Sequence, residues 1–152
     1  MGRNQTTVRG PGAARPETGM PRMTPSSVVV DESRVEIEHS RREGVSWRML
    51  TSADRTPTAA LTSGVAEIEP GGMLALHHHP PPEVYYILEG SGVITLGDET
   101  RDVGPRVAIF IPGGMTHGLR NTGRGVLRFF YVFPVDSYSE IEYTMVERGA
   151  GP

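Results

Sequence analysis

The sequence predicts an all-β fold. After residue 27 the chain breaks into short segments rich in valine, isoleucine and aromatic residues, and glycine or proline turns separate these segments. No segment sustains the 3.6-residue apolar period of an amphipathic helix. Many short strands with Gly/Pro turns are typical of a sandwich or a barrel. A chain of 152 residues suits one domain with a substantial core.

The predicted strands follow one another with few interruptions. A tight hairpin is predicted at Gly97-Asp98-Glu99 because β-like runs flank it, and Pro70-Gly71-Gly72 and Pro112-Gly113-Gly114 mark two further turns. A short turn of helix fits only near residues 136–140. The predicted strands cover residues 28–30, 35–38, 45–50, 60–69, 73–79, 83–88, 93–96, 101–103, 107–111, 116–120 and 126–133.

The first 27 residues differ from the rest in composition. They contain four glycines, four prolines, four arginines and one glutamate, with almost no large apolar side chain. Such a stretch cannot bury enough surface to offset the entropy of ordering it. We therefore expect a disordered basic tail over residues 1–27 and one domain over residues 28–152.

The composition excludes several classes of chemistry. The chain has no cysteine and no lysine, so it offers no thiolate nucleophile, no disulfide framework and no lysine Schiff base. A net charge of −3 gives no reason to expect nucleic acid as a partner. Because no apolar run approaches 18 residues and no secretory leader is recognisable, we expect no membrane contact and a cytoplasmic protein.

The histidines fall in two places and suggest a metal site. Along a strand His77 and His79 share one face, whereas His78 points to the other face. A triple proline ends that strand, and Glu83 opens the next one on the same side. His117 arrives much later, just after a Pro-Gly-Gly turn. His-rich tracts also occur without function, but here a carboxylate and a distant histidine accompany the pair.

Three imidazoles and one carboxylate make a mixed nitrogen and oxygen ligand set. This set suits Fe(II), Mn(II), Co(II), Ni(II) or Zn(II), and the sequence alone does not choose among them. Four protein ligands on a six-coordinate ion leave about two positions open for substrate, oxygen or water.

These residues resemble the two motifs of the cupin superfamily. The first motif reads G-x5-H-x-H-x3-E-x6-G and the second G-x5-P-x-G-x2-H-x3-N. Arg106 stands where the second motif begins with glycine, so the turn before that strand departs from the pattern. Every other position fits, over residues 71–121, and the matching residues are Gly71, His77, His79, Glu83, Gly90, Pro112, Gly114, His117 and Asn121.

The resemblance implies a single cupin barrel, a double-stranded β-helix of the jelly-roll type. It implies one divalent transition metal ion held by His77, His79, Glu83 and His117, with Fe(II) favoured and Mn, Ni, Co or Zn as alternatives. Asn121 would tie a loop without touching the metal. Cupins commonly dimerise through an apolar outer face, so we expect a homodimer; the residues expected on that face are Leu74, Leu76, Val84, Tyr86 and Leu88.

Tyr85 lies two residues after Glu83 and should share the ligand face. A phenol beside a cationic metal has its ionised form stabilised, which lowers its pKa. Tyr85 could then act as a general base, and cupin lyases that cleave dimethylsulfoniopropionate resemble this arrangement. The alternative is that Tyr85 is only an aromatic wall of the pocket.

Three further residues are candidates for binding substrate: Arg48, Arg128 and Tyr131. Phe129, Tyr131 and Phe133 share one face of their strand and Arg128 lies on the other, but parity alone does not say which face lines the cavity. Arg128 would clamp a carboxylate if it faced inward. Arg48 is a similar candidate, and a solvated surface arginine is the alternative for both.

We therefore predict a metal-dependent enzyme that acts on a small polar molecule. The first hypothesis is a non-haem Fe(II) dioxygenase, since two open positions would hold a chelating substrate and O2. The second is a lyase or isomerase in which the metal polarises a carboxylate or carbonyl, Glu83 holds the metal, and Tyr85 moves the proton. The third is a cupin that binds a small molecule without catalysis.

Overall fold

The computed structural model describes residues 5–9, 24–40 and 43–147. Within these ranges no helix has the length and apolar character needed to cross a membrane. Two single-turn 3-10 helices cover Glu32–Arg34 and Tyr138–Glu140. The strands are β1 Gln5–Arg9, β2 Glu38–His39, β3 Val45–Thr51, β4 Thr62–Ile68, β5 Met73–His78, β6 Glu83–Glu89, β7 Gly92–Leu96, β8 Glu99–Val103, β9 Ala108–Ile111, β10 His117–Asn121, β11 Leu127–Phe133 and β12 Glu142–Val146.

The strands form two antiparallel sheets, which confirms the all-β prediction. The first sheet has the order β1-β12-β5-β10-β7-β8 and the second the order β2-β3-β4-β11-β6-β9. Neighbours in the sheets are far apart in the chain, as when β11 pairs with both β4 and β6. This order makes a jelly-roll barrel whose two sheets enclose the core.

Side-chain alternation along β11 identifies the inner face of the second sheet. Leu127, Phe129, Tyr131 and Phe133 are buried, whereas the residues between them are only half-buried. A strand with one face in the core shows this period of two. The aromatic set therefore faces the barrel interior, and Arg128 lies on the opposite face.

The ends of the chain differ most from the sequence prediction. Residues 28–30 form no strand, and β12 was not predicted because its sequence EYTMV mixes polar and apolar residues without clear alternation. β1 lies inside the predicted tail and pairs with β12, since its short Thr-Thr-Val core suits an open sheet edge. Most of the remaining tail lies outside the described residues, and disorder there stays a prediction.

A bulge changes the orientation of one predicted outer residue. His117 pairs with His77, but Leu119 pairs with Leu74. An advance of two residues along β10 therefore matches an advance of three residues along β5. One extra residue reverses the alternation of side chains beyond it. Leu74 was expected on the outer face, and because of the bulge it lines the interior cavity and packs against the core.

The outer face of the second sheet carries an apolar patch near its β9 edge. Phe110 is 66 % exposed, and Tyr86 and Leu88 are also exposed. Val84 pairs with Phe110 on β9, so the exposed apolar side chains are neighbours across the strands. The homodimer expected from the sequence stays a prediction.

Three motif glycines adopt a backbone conformation that glycine favours. The φ angles of Gly71, Gly90 and Gly114 are 78°, 82° and 77°. Arg106, which replaces the glycine expected in the second motif, has φ 72°. The turn therefore keeps its left-handed conformation, and Arg106 bears a steric cost that glycine would not.

Candidate metal centre

Four side chains from distant parts of the chain meet inside the barrel. One potential ligand atom from each of His77, His79, Glu83 and His117 lies within 4.8 Å of the others. None of these residues is more than 4 % exposed. The set is the one predicted from the sequence.

The strand arrangement explains how the four residues meet. His77 on β5 and His117 at the start of β10 are cross-strand partners. His79 follows the last residue of β5, and the three prolines after it turn the chain so that Glu83 begins β6 in the other sheet. The cluster therefore joins the two sheets at one end of the barrel.

Backbone carbonyls fix the orientation of all three imidazoles. The Nδ1 atoms of His77, His79 and His117 each lie 2.8 Å from a carbonyl oxygen, those of Ala75, Pro81 and Met115 respectively. A carbonyl oxygen only accepts, so each Nδ1 carries the proton and donates it. In its neutral form each ring then presents Nε2 as a bare acceptor.

The Nε2 atoms and the carboxylate form a group that needs a cation. Glu83 Oε2 lies 3.2 Å from His79 Nε2 and 3.4 Å from His117 Nε2. His117 Nε2 is buried and has no hydrogen-bond partner among the described residues. Acceptors facing acceptors in a buried site are unfavourable without a positive charge between them. The donor set therefore fits a divalent transition metal ion.

The protonation state of His77 agrees with this fit. Burial lowers the pKa of His77 well below its usual value, and the neighbouring His117 lowers it further. The imidazole is consequently neutral at physiological pH, which is the form that binds a metal ion.

A cavity of about 380 Å³ opens beside the cluster. Aromatic side chains are the largest group in its wall, and no arginine stands among the described lining residues, although Glu43 and Glu83 do. Burial raises the pKa of Glu43, and its hydrogen bond with Ser40 partly opposes that shift. The aromatic lining residues are Trp47, Tyr85, Phe129, Tyr131, Phe133, Tyr138 and Tyr143.

Tyr85 lies inside the barrel as predicted. Its ring centroid is 4.7 Å from that of Phe129 and 6.1 Å from that of His117. Burial raises the pKa of Tyr85 well above its usual value, and the charge of Glu83 and a hydrogen bond to Glu83 raise it further. A nearby cation was expected to lower this pKa, whereas the protein groups alone favour the neutral phenol.

The predicted substrate-binding residues separate into two groups. Tyr131 lines the cavity, and its hydroxyl donates to the Met49 sulfur at 3.8 Å. Arg48 and Arg128 lie on the outer face instead.

The outer arginines pair with carboxylates there. Arg48 Nη1 lies 3.8 Å from Glu32 and 3.7 Å from Glu67, and Arg128 pairs with the same two residues. A carboxylate clamp would require an arginine that faces inward. Neither arginine does, because strand alternation turns both side chains away from the cavity.

Sequence reasoning missed the contribution of the C-terminal segment to the site. Tyr143 on β12 packs against the rings of His77 and His79, with centroids 5.3 Å from each. Tyr138 precedes it on the second 3-10 helix and also lines the cavity. Four of the five tyrosines of the chain line this cavity, and their concentration after residue 84 is the signal that the sequence offered.

Comparison with known proteins agrees with the fold. A family model described as "Cupin domain" matches residues 64–133. The dimethylsulfoniopropionate lyase DddW of Ruegeria pomeroyi is 39 % identical over 99 residues, which are 65 % of this chain and 64 % of DddW. The chain thus spans less than two thirds of that relative.

Two further relatives match over more of their length. The polyketide synthase protein CurC of Streptomyces cyaneus is 30 % identical over 118 residues, covering 76 % of this chain and 74 % of CurC. The structure of the polyketide cyclase RemF from Streptomyces resistomycificus is similar with a TM-score of 0.69 and 28 % identity, covering 82 % of this chain and 88 % of RemF. The chain belongs to the cupin superfamily.

Proposed function

We propose that this protein is a metal-dependent lyase that cleaves a small carboxylate bearing a positively charged sulfonium group, such as dimethylsulfoniopropionate. The observation that carries the proposal is the pairing of a buried three-histidine, one-glutamate cluster with an aromatic cavity that has no arginine in its described wall. The relative DddW, named as a lyase of this compound, supports the same reaction.

The cavity wall suits a cationic substrate. Aromatic rings attract cations through their electron-rich faces, and desolvation strengthens that attraction. The Glu43 carboxylate adds negative charge, and neither arginine nor lysine stands among the described lining residues. A sulfonium group would therefore bind against the rings.

The cluster would hold a divalent ion through three Nε2 atoms and the Glu83 carboxylate. When bound, the ion would supply a Lewis acid for the substrate carboxylate and a positive charge beside the Tyr85 phenol. With the ion bound, Tyr85 would release its phenolic proton to solvent, and the resulting phenolate Oη would take the proton from the carbon next to the carboxylate. The electron pair then forms the new C=C bond, the C–S bond breaks, and dimethyl sulfide leaves from acrylate.

Two other functions compete with this one. The Fe(II) dioxygenase rests on the two open coordination positions, and a binding protein without catalysis needs only the metal and the cavity. A third candidate, cyclisation of an aromatic polyketide, is favoured by the apolar aromatic wall together with the likeness to CurC and RemF. We prefer the lyase because the Glu43 carboxylate in the wall suits a cation better than a neutral ring system.

The test is turnover of dimethylsulfoniopropionate by protein loaded separately with Fe(II), Mn(II), Co(II), Ni(II) and Zn(II). We expect dimethyl sulfide, measured by gas chromatography, without O2 uptake. Tyr85→Phe should lower kcat by at least about 100-fold because it removes the proton acceptor. Tyr86→Phe, the adjacent outer tyrosine, is the matched control and should keep full activity.

Three results would contradict the lyase. O2 uptake with substrate loss and no dimethyl sulfide would favour the dioxygenase. Binding without turnover for every metal would favour the non-catalytic protein. Full activity of Tyr85→Phe would remove Tyr85 from the proton transfer.

A further inference from the structure

We infer that the Tyr138 hydroxyl, supported by Tyr143, is the hydrogen-bond donor that holds the carboxylate end of the ligand beside the metal-ligand cluster. The inference names a substrate-binding residue for the proposed lyase and rests on that function only for the identity of the ligand. Neither residue was a candidate in the sequence.

The other three cavity tyrosines already use their hydroxyl protons. Tyr85 is hydrogen-bonded to the Glu83 carboxylate, which can only accept. Tyr131 donates to the Met49 sulfur at 3.8 Å, and Tyr143 donates to the Tyr138 hydroxyl oxygen at 3.1 Å. Among the described residues, none accepts the proton of Tyr138. Its O–H is therefore the unused donor of the four.

Tyr138 is held in place by its backbone. Its N–H donates to Ser52 Oγ at 3.0 Å, and the Ser137 side chain caps the short helix that carries it. The Ala53 N–H donates to the Asp136 carbonyl at 2.8 Å, which ties the preceding loop to the same segment. These contacts fix the backbone, and the ring packs against Phe133 and Tyr143, so its hydroxyl is preorganised for a ligand.

Tyr143 places the pair next to the cluster. Its ring packs on His77 and His79, and its ring centroid lies 6.0 Å from that of Tyr138. A hydrogen bond received from Tyr143 polarises the Tyr138 hydroxyl and makes it a better donor. The Tyr143 ring thus lies against the histidines, and its hydroxyl bond links it to Tyr138 in the cavity wall.

The charge of the wall explains why a neutral donor is needed. A carboxylate in a protein usually binds to arginine or lysine, and the described part of this wall has neither. Apart from a metal ion, a ligand carboxylate then depends on uncharged N–H and O–H donors. Burial raises the pKa of Tyr138 to about 12, so the phenol keeps its proton at neutral pH.

The experiment measures acrylate binding by isothermal titration calorimetry. The protein is loaded with Zn(II), which has no redox chemistry. We expect Tyr138→Phe to weaken the Kd for acrylate by about 10-fold, the effect of one lost hydrogen bond to a charged group. Tyr143→Phe should weaken it by about 2- to 3-fold, since the donor remains but loses its support.

Zinc content and Tm are measured for every variant, and Tyr86→Phe is the matched control, expected to bind as the wild type does. The inference is overturned if the wild type does not bind acrylate, if a folded Tyr138→Phe binds it with unchanged Kd, or if Tyr86→Phe loses as much affinity. If Tyr138→Phe does not fold, Tyr143→Phe decides, and an unchanged Kd there overturns the inference.

The same variants separate this inference from the lyase proposal. Acrylate binding that depends on Tyr138, in a protein that releases no dimethyl sulfide, would end the lyase and keep the donor role. Cleavage of dimethylsulfoniopropionate with an unchanged KM in Tyr138→Phe would end the donor role and keep the lyase.

Discussion

The two faces of β6 carry opposite kinds of surface within seven residues. On the inner face Tyr85 is 1 % exposed and is hydrogen-bonded to Glu83. On the outer face its neighbour Tyr86 is 40 % exposed and belongs to the apolar patch. Two identical side chains therefore differ only in the side of the sheet that they occupy. Alternation along a strand is enough to separate the candidate site from the surface.

The two faces of the second sheet also differ in whether their charged side chains are paired. On the outer face Arg48 and Arg128 pair with Glu32 and Glu67. On the inner face the described wall has carboxylates and no arginine. On the outer face the charged side chains are thus paired with one another. Inside the barrel the carboxylates are left for a ligand or a metal ion to balance.

The largest effect that we predict is a difference in metal affinity between variants of two adjacent histidines. His77→Ala should lower metal affinity by at least about 100-fold because it removes one of four ligands. His78→Ala, on the other face of the same strand, should leave the metal content near the wild-type value. Elemental analysis of protein purified without a histidine tag measures both. Equal metal content in the two variants would remove His77 from the site.

A smaller effect is predicted for the outer ion pairs. Arg128→Met should lower the free energy of unfolding by about 1 kcal/mol, since Arg128 is half-buried and pairs with two carboxylates. Metal content and turnover should not change. Arg101→Met, which breaks the exposed pair with Glu99, is the control and should have almost no effect on stability.

Urea unfolding followed by Trp47 fluorescence gives these free energies. A loss of turnover in Arg128→Met at unchanged stability would mean that the outer face contributes to the site, contrary to the separation of the two faces.

The smallest effect concerns the turns that support the barrel. Arg106→Gly should raise the free energy of unfolding by roughly 0.5–1 kcal/mol, because glycine adopts φ 72° without steric cost. For a chain of this size the Tm should rise by about 2 °C. Gly90→Ala should do the opposite, since its Cβ would lie 2.4 Å from the Val126 carbonyl oxygen. A lower Tm for Arg106→Gly would contradict the strain at Arg106.

The sequence was sufficient for the features that depend on local spacing. The four ligands lie in or at the ends of predicted strands. Asn121 bonds with backbone groups of Gly123 and Gly125 in the turn after it and with the Ile68 carbonyl on β4, as expected for a residue that ties a loop. The position of Leu74 was not predictable, because a bulge depends on the partner strand and leaves no mark in a single strand. Tyr138 and Tyr143 were missed because the pairing of β12 with β5 is a long-range contact.

The three carbonyl groups that hold the imidazoles have a consequence for metal loading. Ala75, Pro81 and Met115 fix the rings through bonds within the chain, two residues from each histidine. These bonds form when the strands form and do not require an ion. Metal binding therefore has little ordering entropy to overcome, and removal of the ion should leave the barrel folded. The same empty, rigid site can then be reloaded with one metal after another, which makes the preference among metals measurable on a single preparation of protein.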